Sequence, residues 1–210
     1  VKDFCGKPII SYSIETALES GVFDTVMVST DDEEIADVAR QYGASVPFLR
    51  SGETSNDFAT WSDVLSEILD VYRAKNESYD LACCLSATAP FVKKDYILTA
   101  ANYLKDDHLV ESVSVVSRFD YPIQRALAIR DGHLVMVWPE NYSKRSQDLE
   151  PTFHDAGIFD FVRISAFLEQ KTLFCRTAKA IVIPSADCQD IDTLEDFEMA
   201  EQKFKATHSF

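Results

Sequence analysis

Glycine is scarce in this 210-residue chain, with only six residues, at positions 6, 21, 43, 52, 132 and 157, and no two of them close together. The two common phosphate cradles, G-x-G-x-x-G and G-x-x-x-x-G-K-[ST], are therefore absent, as are G-x-S-x-G and H-E-x-x-H. Positive charge is also short: 20 Lys+Arg against 35 Asp+Glu leave a formal net charge of -15. Without a basic stripe, binding along a phosphate backbone has no electrostatic footing, so nucleic acid is not an expected partner. A small anionic substrate requires a divalent cation or a local cationic pocket to neutralise it. The five cysteines, Cys5, Cys83, Cys84, Cys175 and Cys188, include no C-x-x-C pair and no histidine at ligand spacing. That pattern speaks against a zinc site or a disulfide framework and predicts a reduced, cytoplasmic compartment. No apolar run reaches spanning length, so an integral membrane protein is not expected.

What is present is an ordinary globular composition, 46% hydrophobic and 26% charged. A chain of this length can bury roughly 70% of its unfolded surface in one core. With no repeat, low-complexity tract or linker, residues 1–210 read as one domain. Along it, helix and strand patterns alternate. Pro8 opens a helix with Ile10, Ile14, Ala17 and Leu18 on one face and Gly21 as its stop. Thr25 to Thr30 reads as a short buried strand, and Asp31 to Glu34 start a second helix that Gly43 ends. Further helices are predicted over 59–74, 94–104 and 193–204, and strands over 81–85, 110–116 and 180–183. Such alternation implies a mainly parallel α/β sheet with helices on both faces. Between residues 118 and 160 the pattern breaks. Asp131-Gly132 between two apolar runs signals a hairpin, and a long polar stretch follows over 141–155. A domain of this class that opens on a helix lacks the strand that should precede it.

In doubly wound sheets ligands bind beyond the carboxyl ends of the strands, which directs attention to the residues after Thr30, Leu85, Val116 and Ile183. The sharpest constellation there is Gln189-Asp190-Ile191-Asp192. In an extended segment the carboxylates of Asp190 and Asp192 face one side and suit one hard divalent cation. A competing reading makes Asp192 the first residue of a D-x-x-E capping box with Glu195. Asp31 and Asp32 are better read as a helix start than as ligands. The polar stretch and its flank hold Arg125, Lys144, Arg145, Gln147, His154 and Asp155; arginines suit carboxylate or phosphate, and the competing reading is a solvated loop.

Taken together, several segments resemble the nonulosonate cytidylyltransferases, and the likeness runs through essentially the whole chain in order. They are residues 4–14, 23–35, Val46-Pro47-Phe48-Leu49-Arg50 and Asp190-Ile191-Asp192-Thr193 with Glu195 and Asp196. Residues 86–91, 121–126, 145–149 and His154-Asp155-Ala156-Gly157 are most similar to the branch that acts on pseudaminic acid.

The resemblance implies a Rossmann-like, three-layer nucleotidyltransferase fold of GT-A-like type, with a β-rich dimerisation excursion over 118–160. It implies transfer of CMP from CTP to a nine-carbon 2-keto acid sugar with release of pyrophosphate, Mg2+ as cofactor and a homodimer as the assembly. Asp190 and Asp192 match the family's metal-binding, catalytic carboxylates. Arg50, with Thr60 nearby, matches the cytidine-contacting position, and Lys7 resembles the tail of a basic nucleotide loop. That loop and a first strand, about twenty residues in all, are expected to precede residue 1. Arg145 matches an arginine that reaches the sugar acid, assisted by Arg125 and Gln147. Ser86 and Asp155 stand where enzymes of sialic acid carry Gln and Asn, which favours a different nonulosonate. The alternatives are a sialic or legionaminic acid as substrate, a different nucleotide base, or a non-catalytic domain of the same fold.

Overall fold

Two-residue strands β1 (Asp3–Phe4) and β2 (Lys7–Pro8) pair antiparallel around Cys5 and Gly6 in the computed structural model, which describes residues 1–207. They lead straight into α1 (Ile9–Ser20), which Gly21 ends in the left-handed region at φ 66°. Next come α2 (Glu33–Gln41), capped by Asp32 accepting from the Ile35 amide, and α3 (Trp61–Ala74). Strand β3 (Leu81–Leu85), α4 (Lys94–Asp106) and β4 (Ser112–Arg118) follow, close to the expected boundaries. The expected hairpin forms as β5 (Leu127–Arg130) and β6 (His133–Met136), with Asp131 and Gly132 both at positive φ in the turn. The chain closes through β7 (Phe153–Arg163), α5 (Ile164–Gln170), β8 (Ala178–Ile183) and α6 (Leu194–Thr207).

The main sheet has the order β3-β7-β4-β8, and it corrects the expectation of a mainly parallel sheet. Only β4 and β8 pair parallel; β7 runs antiparallel to both β3 and β4. The reason lies in the connection. The chain leaves β4 at Arg118, makes its excursion, and returns at Phe153 directly opposite Arg118. With no crossover helix to reverse it, a returning strand must enter antiparallel. The sequence reading missed β7 altogether, because Asp155, Gly157 and Asp160 interrupt its apolar run. A second correction concerns Thr25 to Thr30. This segment is extended but forms no ladder; its pairing is one parallel bridge, Met27 to Ser45, with Val28 and Ser45 amides donating across it at 2.9 Å.

Helices cover both faces. On one, Ile97, Ala100 and Leu104 of α4 pack on Val113, Val115, Phe159 and Phe161. On the other, Leu65 of α3 and Ala166 and Phe167 of α5 meet Val162 with Ala82 and Cys84. A cavity of about 510 Å³ separates the Val26–Ser29 segment from the free edge of β3, with apolar side chains of α1 and α3 along it. Burial pushes the Cys83 thiol well up and the Cys84 thiol up to about 12, so neither is a ready nucleophile.

A separate aromatic cluster fixes α6. Phe204 meets Phe4, Tyr12 and Phe91 edge-on at 5.3, 5.2 and 5.8 Å, and Ile191 packs against the same group. Replacement Phe204→Ala should cost about 3–5 kcal/mol by cavity formation, read as a lower urea midpoint at unchanged slope. A change in the slope instead would show that α6 detaches locally and is not part of the cooperative unit.

Candidate active site

Strands β3, β4 and β8 run in one direction, so their carboxyl ends share one edge of the sheet, and the amino end of β7 joins them there. Four of the sequence-selected residues, Ser86, Asp155, Asp190 and Asp192, lie along this edge. At the end of β3 the Ser86 amide donates to the Ile158 carbonyl at 2.8 Å, and its own carbonyl accepts from Ser13 Oγ at 2.7 Å. The Ser86 hydroxyl shares a hydrogen bond with Thr88 Oγ1 at 3.1 Å. Ser86 thus ties α1, β3 and β7 together at one point.

Strand β7 is irregular at that point. Ser114 opposes Asp160 while Val116 opposes Asp155, so the residues between them on β7 bulge out of register. Gly157 lies in this bulge at φ 66°, and its amide donates to Asp155 Oδ1 at 2.9 Å. Bulges of this kind re-aim side chains beside active sites. Here the bulge faces Asp190: a Cβ added to Gly157 would stand 3.3 Å from Asp190 Oδ1. The Cys188 thiol completes the contact by pointing to the Ala156 carbonyl at 3.8 Å. Asp155 and Asp190 therefore approach the bulge from two sides. His154, whose Nδ1 is 2.7 Å from the Asp155 carbonyl, rests beside Phe119. Behind the bulge, burial raises the Asp160 carboxyl above its usual range against the hydrogen bond from Ser114, with Asp155 adding to the rise.

The capping question around Asp192 is settled by the hydrogen bonds. Thr193, not Asp192, caps α6: its amide and hydroxyl donate to Asp196 Oδ2 at 2.9 and 2.7 Å, and its Oγ1 accepts from the Asp196 amide. Ile191 packs inward against the Phe4–Phe204 cluster, while Asp190 and Asp192 on either side of it are exposed. That disposition suits a hard cation. Among the described residues no group of three or more His, Cys, Asp or Glu side chains forms a ready metal cage. Two carboxylates are what Mg2+ usually takes from a protein when substrate phosphates and water supply the rest.

Arg50 and Thr60 both line the cavity beside β3. Arg50 Nε donates to Ser55 Oγ at 3.0 Å, and its Nη2 lies 3.6 Å from Asp31 Oδ1. The loop after it is fastened by Glu67, which accepts from the Ser51 amide at 2.9 Å and from the hydroxyls of Ser51 and Thr54. Burial alone would raise the Glu67 carboxyl; these bonds and the Arg50 charge outweigh it and hold it below its usual range. Thr60 also caps α3 in a reciprocal box with Asp63, so its hydroxyl is already engaged. Lys7 is directed elsewhere, pairing with Glu15 and lying 4.1 Å from the Tyr12 ring centre. The hydrogen bonds of Arg125 and Arg145 run within the excursion, to Ser146 and to Asp148 respectively, and Gln147 is exposed beside them.

Two features of this edge escaped sequence reasoning. Gly157 carried no turn signal that separates a bulge glycine from a loop glycine. The lysines that brace the Ser185–Asp187 turn, Lys93 just before α4 and Lys203 in α6, belong to no sequence motif and were not singled out. Asp187 accepts from Lys93 Nζ at 2.6 Å and Tyr96 OH at 2.5 Å. Burial would raise its carboxyl, but those bonds and the nearby lysine charges hold it below the usual range. Replacement Gly157→Ala should strain the left-handed backbone and crowd Asp190, lowering turnover at least about tenfold while the fold survives. Unaltered turnover with an intact fold would show that the bulge does not set Asp190.

Comparison with known proteins gives the family of this edge. A family model described as cytidylyltransferase matches residues 1–202. The pseudaminic acid cytidylyltransferase of Campylobacter jejuni serotype O:2 is 42% identical over 207 residues, covering 98% of this chain and 89% of that protein. The CMP-N,N'-diacetyllegionaminic acid synthase of Legionella pneumophila is 32% identical over 208 residues, covering 94% and 85%. Among solved structures, CMP:2-keto-3-deoxy-manno-octonic acid synthetase complexed with CTP superposes at a TM-score of 0.69 with 14% identity, covering 99% of this chain and 91% of that one. That likeness shows a shared α/β fold. With a match that runs through nearly the entire sequence, the chain belongs to the cytidylyltransferase family.

Proposed function

We propose that this cytidylyltransferase activates pseudaminic acid with CTP, on a GT-A-like scaffold whose excursion forms a homodimer. The 42% identity to a pseudaminic acid cytidylyltransferase over 98% of the chain is the observation that carries the substrate. In the reaction the anomeric hydroxyl oxygen bonds to the α-phosphorus of CTP, the bond from that phosphorus to the bridging oxygen breaks, pyrophosphate leaves and the hydroxyl proton is released. Little covalent work falls to the protein; positioning and charge neutralisation dominate.

Roles follow from position. Asp190 and Asp192 would hold Mg2+, which when bound neutralises phosphate charge and polarises the reacting phosphorus. Arg50 offers guanidinium donors at the cavity mouth for the nucleotide, with the Thr60 end of α3 beside it. Lys7 serves the nucleotide only if it leaves Glu15. Ser86, bonded to the bulge at Ile158, and Asp155, bonded to Gly157 within it, contact the sugar. Arg125, Arg145 and Gln147 supply the cationic and polar surface for its carboxylate. No helix among the described residues is long and apolar enough to cross a membrane, and all five cysteines are free thiols, which suits a reducing cytoplasm.

The dimer reading rests on the hairpin. Leu127 pairs with Met136 and Ile129 with Leu134, so one face of β5–β6 is apolar, and Ile129 and Leu134 are 77% and 67% exposed. An isolated two-stranded hairpin is marginal in water, and an apolar face of this kind marks an interface. Ile129→Asp should convert a dimer to a monomer in sedimentation equilibrium; a monomeric unaltered chain would remove this reading.

Pyrophosphate release with CTP and Mg2+ tests the function. Release with pseudaminic acid and not with N-acetylneuraminic or legionaminic acid is the expected result. Release with either of the others would keep the chemistry and change the substrate, and absence of CTP binding would favour a non-catalytic domain. Asp190→Ala and Asp192→Ala should each abolish turnover without lowering Tm. Arg145→Ala should raise the sugar KM more than the CTP KM, whereas equal effects would place Arg145 elsewhere.

A further inference from the structure

We infer that Lys203 of α6 is a positioning residue for the Asp190–Asp192 pair, acting through the turn that precedes it; the inference rests on the reading of that pair as metal-holding. Lys203 Nζ donates to the Ser185 carbonyl at 2.6 Å and to the Cys188 carbonyl at 2.5 Å. One ammonium thus closes the turn from both ends. Its Nζ also stands 5.6 Å from the centre of the Phe91 ring, at the margin of the aromatic cluster that receives Ile191. The turn is gripped from its other side by Lys93, which precedes α4, and by Tyr96 of α4, both on Asp187 Oδ2.

The consequence for the site is a matter of short spans. Cys188 is held by Lys203, Ile191 is held in the aromatic cluster, and Thr193 is held by its box with Asp196. Asp190 lies between the first two anchors and Asp192 between the second and third. Only Gln189 and Asp190 lie between Cys188 and Ile191, and only Asp192 lies between Ile191 and Thr193. Removing the ammonium leaves two carbonyls without this donor and frees the segment that sets Asp190 against Gly157. An exposed lysine on a terminal helix is ordinarily worth little; here it is half-buried and spent on backbone acceptors, which an exposed ion pair is not. Groups that orient metal-holding carboxylates from behind typically change metal affinity or activity by about 10–100-fold when removed.

The test uses Lys203→Met, which keeps the aliphatic stem, and Lys203→Arg, which keeps donors. Three readouts apply: the Mg2+ concentration for half-maximal turnover, Mn2+ binding in the presence of CTP by water-proton relaxation, and amide hydrogen exchange over residues 188–193. Lys203→Met should raise the Mg2+ requirement and weaken Mn2+ binding by about tenfold, with faster exchange over that segment. Lys203→Arg should recover most of both. Tyr96→Phe, which loosens the turn from α4 without touching α6, should shift metal binding in the same direction and keeps the test open if Lys203→Met folds poorly. A lower Tm with unchanged Mn2+ binding and exchange would make Lys203 a purely structural residue and overturn the inference. Asp190→Asn separates the two ideas: if it leaves Mn2+ binding unaltered, the metal reading itself fails, whatever Lys203 does.

Discussion

Everything at the functional edge depends on β7 entering the sheet antiparallel between β3 and β4. Because it returns from the excursion, its amino end arrives where the neighbouring strands finish. Residues 154–157 are thereby delivered to the same edge as Ser86 and the segment after Ile183. A parallel strand in that slot would have carried its own amino end to the far side of the sheet. The bulge then does the local work: it takes up the extra residues, lets Gly157 adopt a positive φ, and leaves room for the Asp190 carboxylate. Topology brings the groups to one edge, and one absent Cβ lets two of them meet.

Charge is used sparingly around that edge. The chain carries a net -15, yet the cations nearest the Asp190 segment are committed to protein partners. Lys93 is committed to Asp187 and Lys203 to two carbonyls. What remains outward at the end of β8 is the pair of carboxylates, which by itself repels a triphosphate. An acidic edge of this kind recruits anions only with a divalent cation between them. Arg50 stands at the cavity, away from this segment in the chain, and its weak 3.6 Å contact with Asp31 leaves most of its donors for a ligand. On the proposed reading, the carboxylates would hold the metal and the guanidinium the nucleotide, dividing the work of holding a molecule that is anionic along its length.

Much of this was legible in the sequence. Helices with a clear apolar stripe, such as α3 and α4, and the Asp131–Gly132 hairpin appear where periodicity and turn chemistry put them. The family, too, was readable from motifs dispersed along the whole chain. What was not legible has identifiable physical causes. Strand β7 hides because its bulge carries Asp155 and Gly157 in positions where an apolar alternation would otherwise announce it. The Thr25–Thr30 run has strand composition but pairs through one bridge, since composition reports burial and not whether a neighbour is there. The role of Lys203 depends on carbonyls fifteen and eighteen residues away, which no local pattern encodes.

The ambiguity at Asp192 shows how such a question is resolved. The sequence reading weighed only the box of Asp192 with Glu195, whereas the box that forms is one residue on, Thr193 with Asp196, and the two are equally competent chemically. A cap is worth about 1 kcal/mol either way, so propensity cannot choose between them. Burial can. Ile191 is partly buried against the cluster of Phe4, Phe91, Phe197 and Phe204, and even a part of the about 1.5–3 kcal/mol of a fully buried isoleucine exceeds the difference between the caps. With Ile191 inward, Asp192 must face outward beside Asp190, and the first side chain free to turn back onto the helix is Thr193. The apolar residue between the two acids thus decides the register, and in doing so leaves both carboxylates exposed, as the proposed metal role requires.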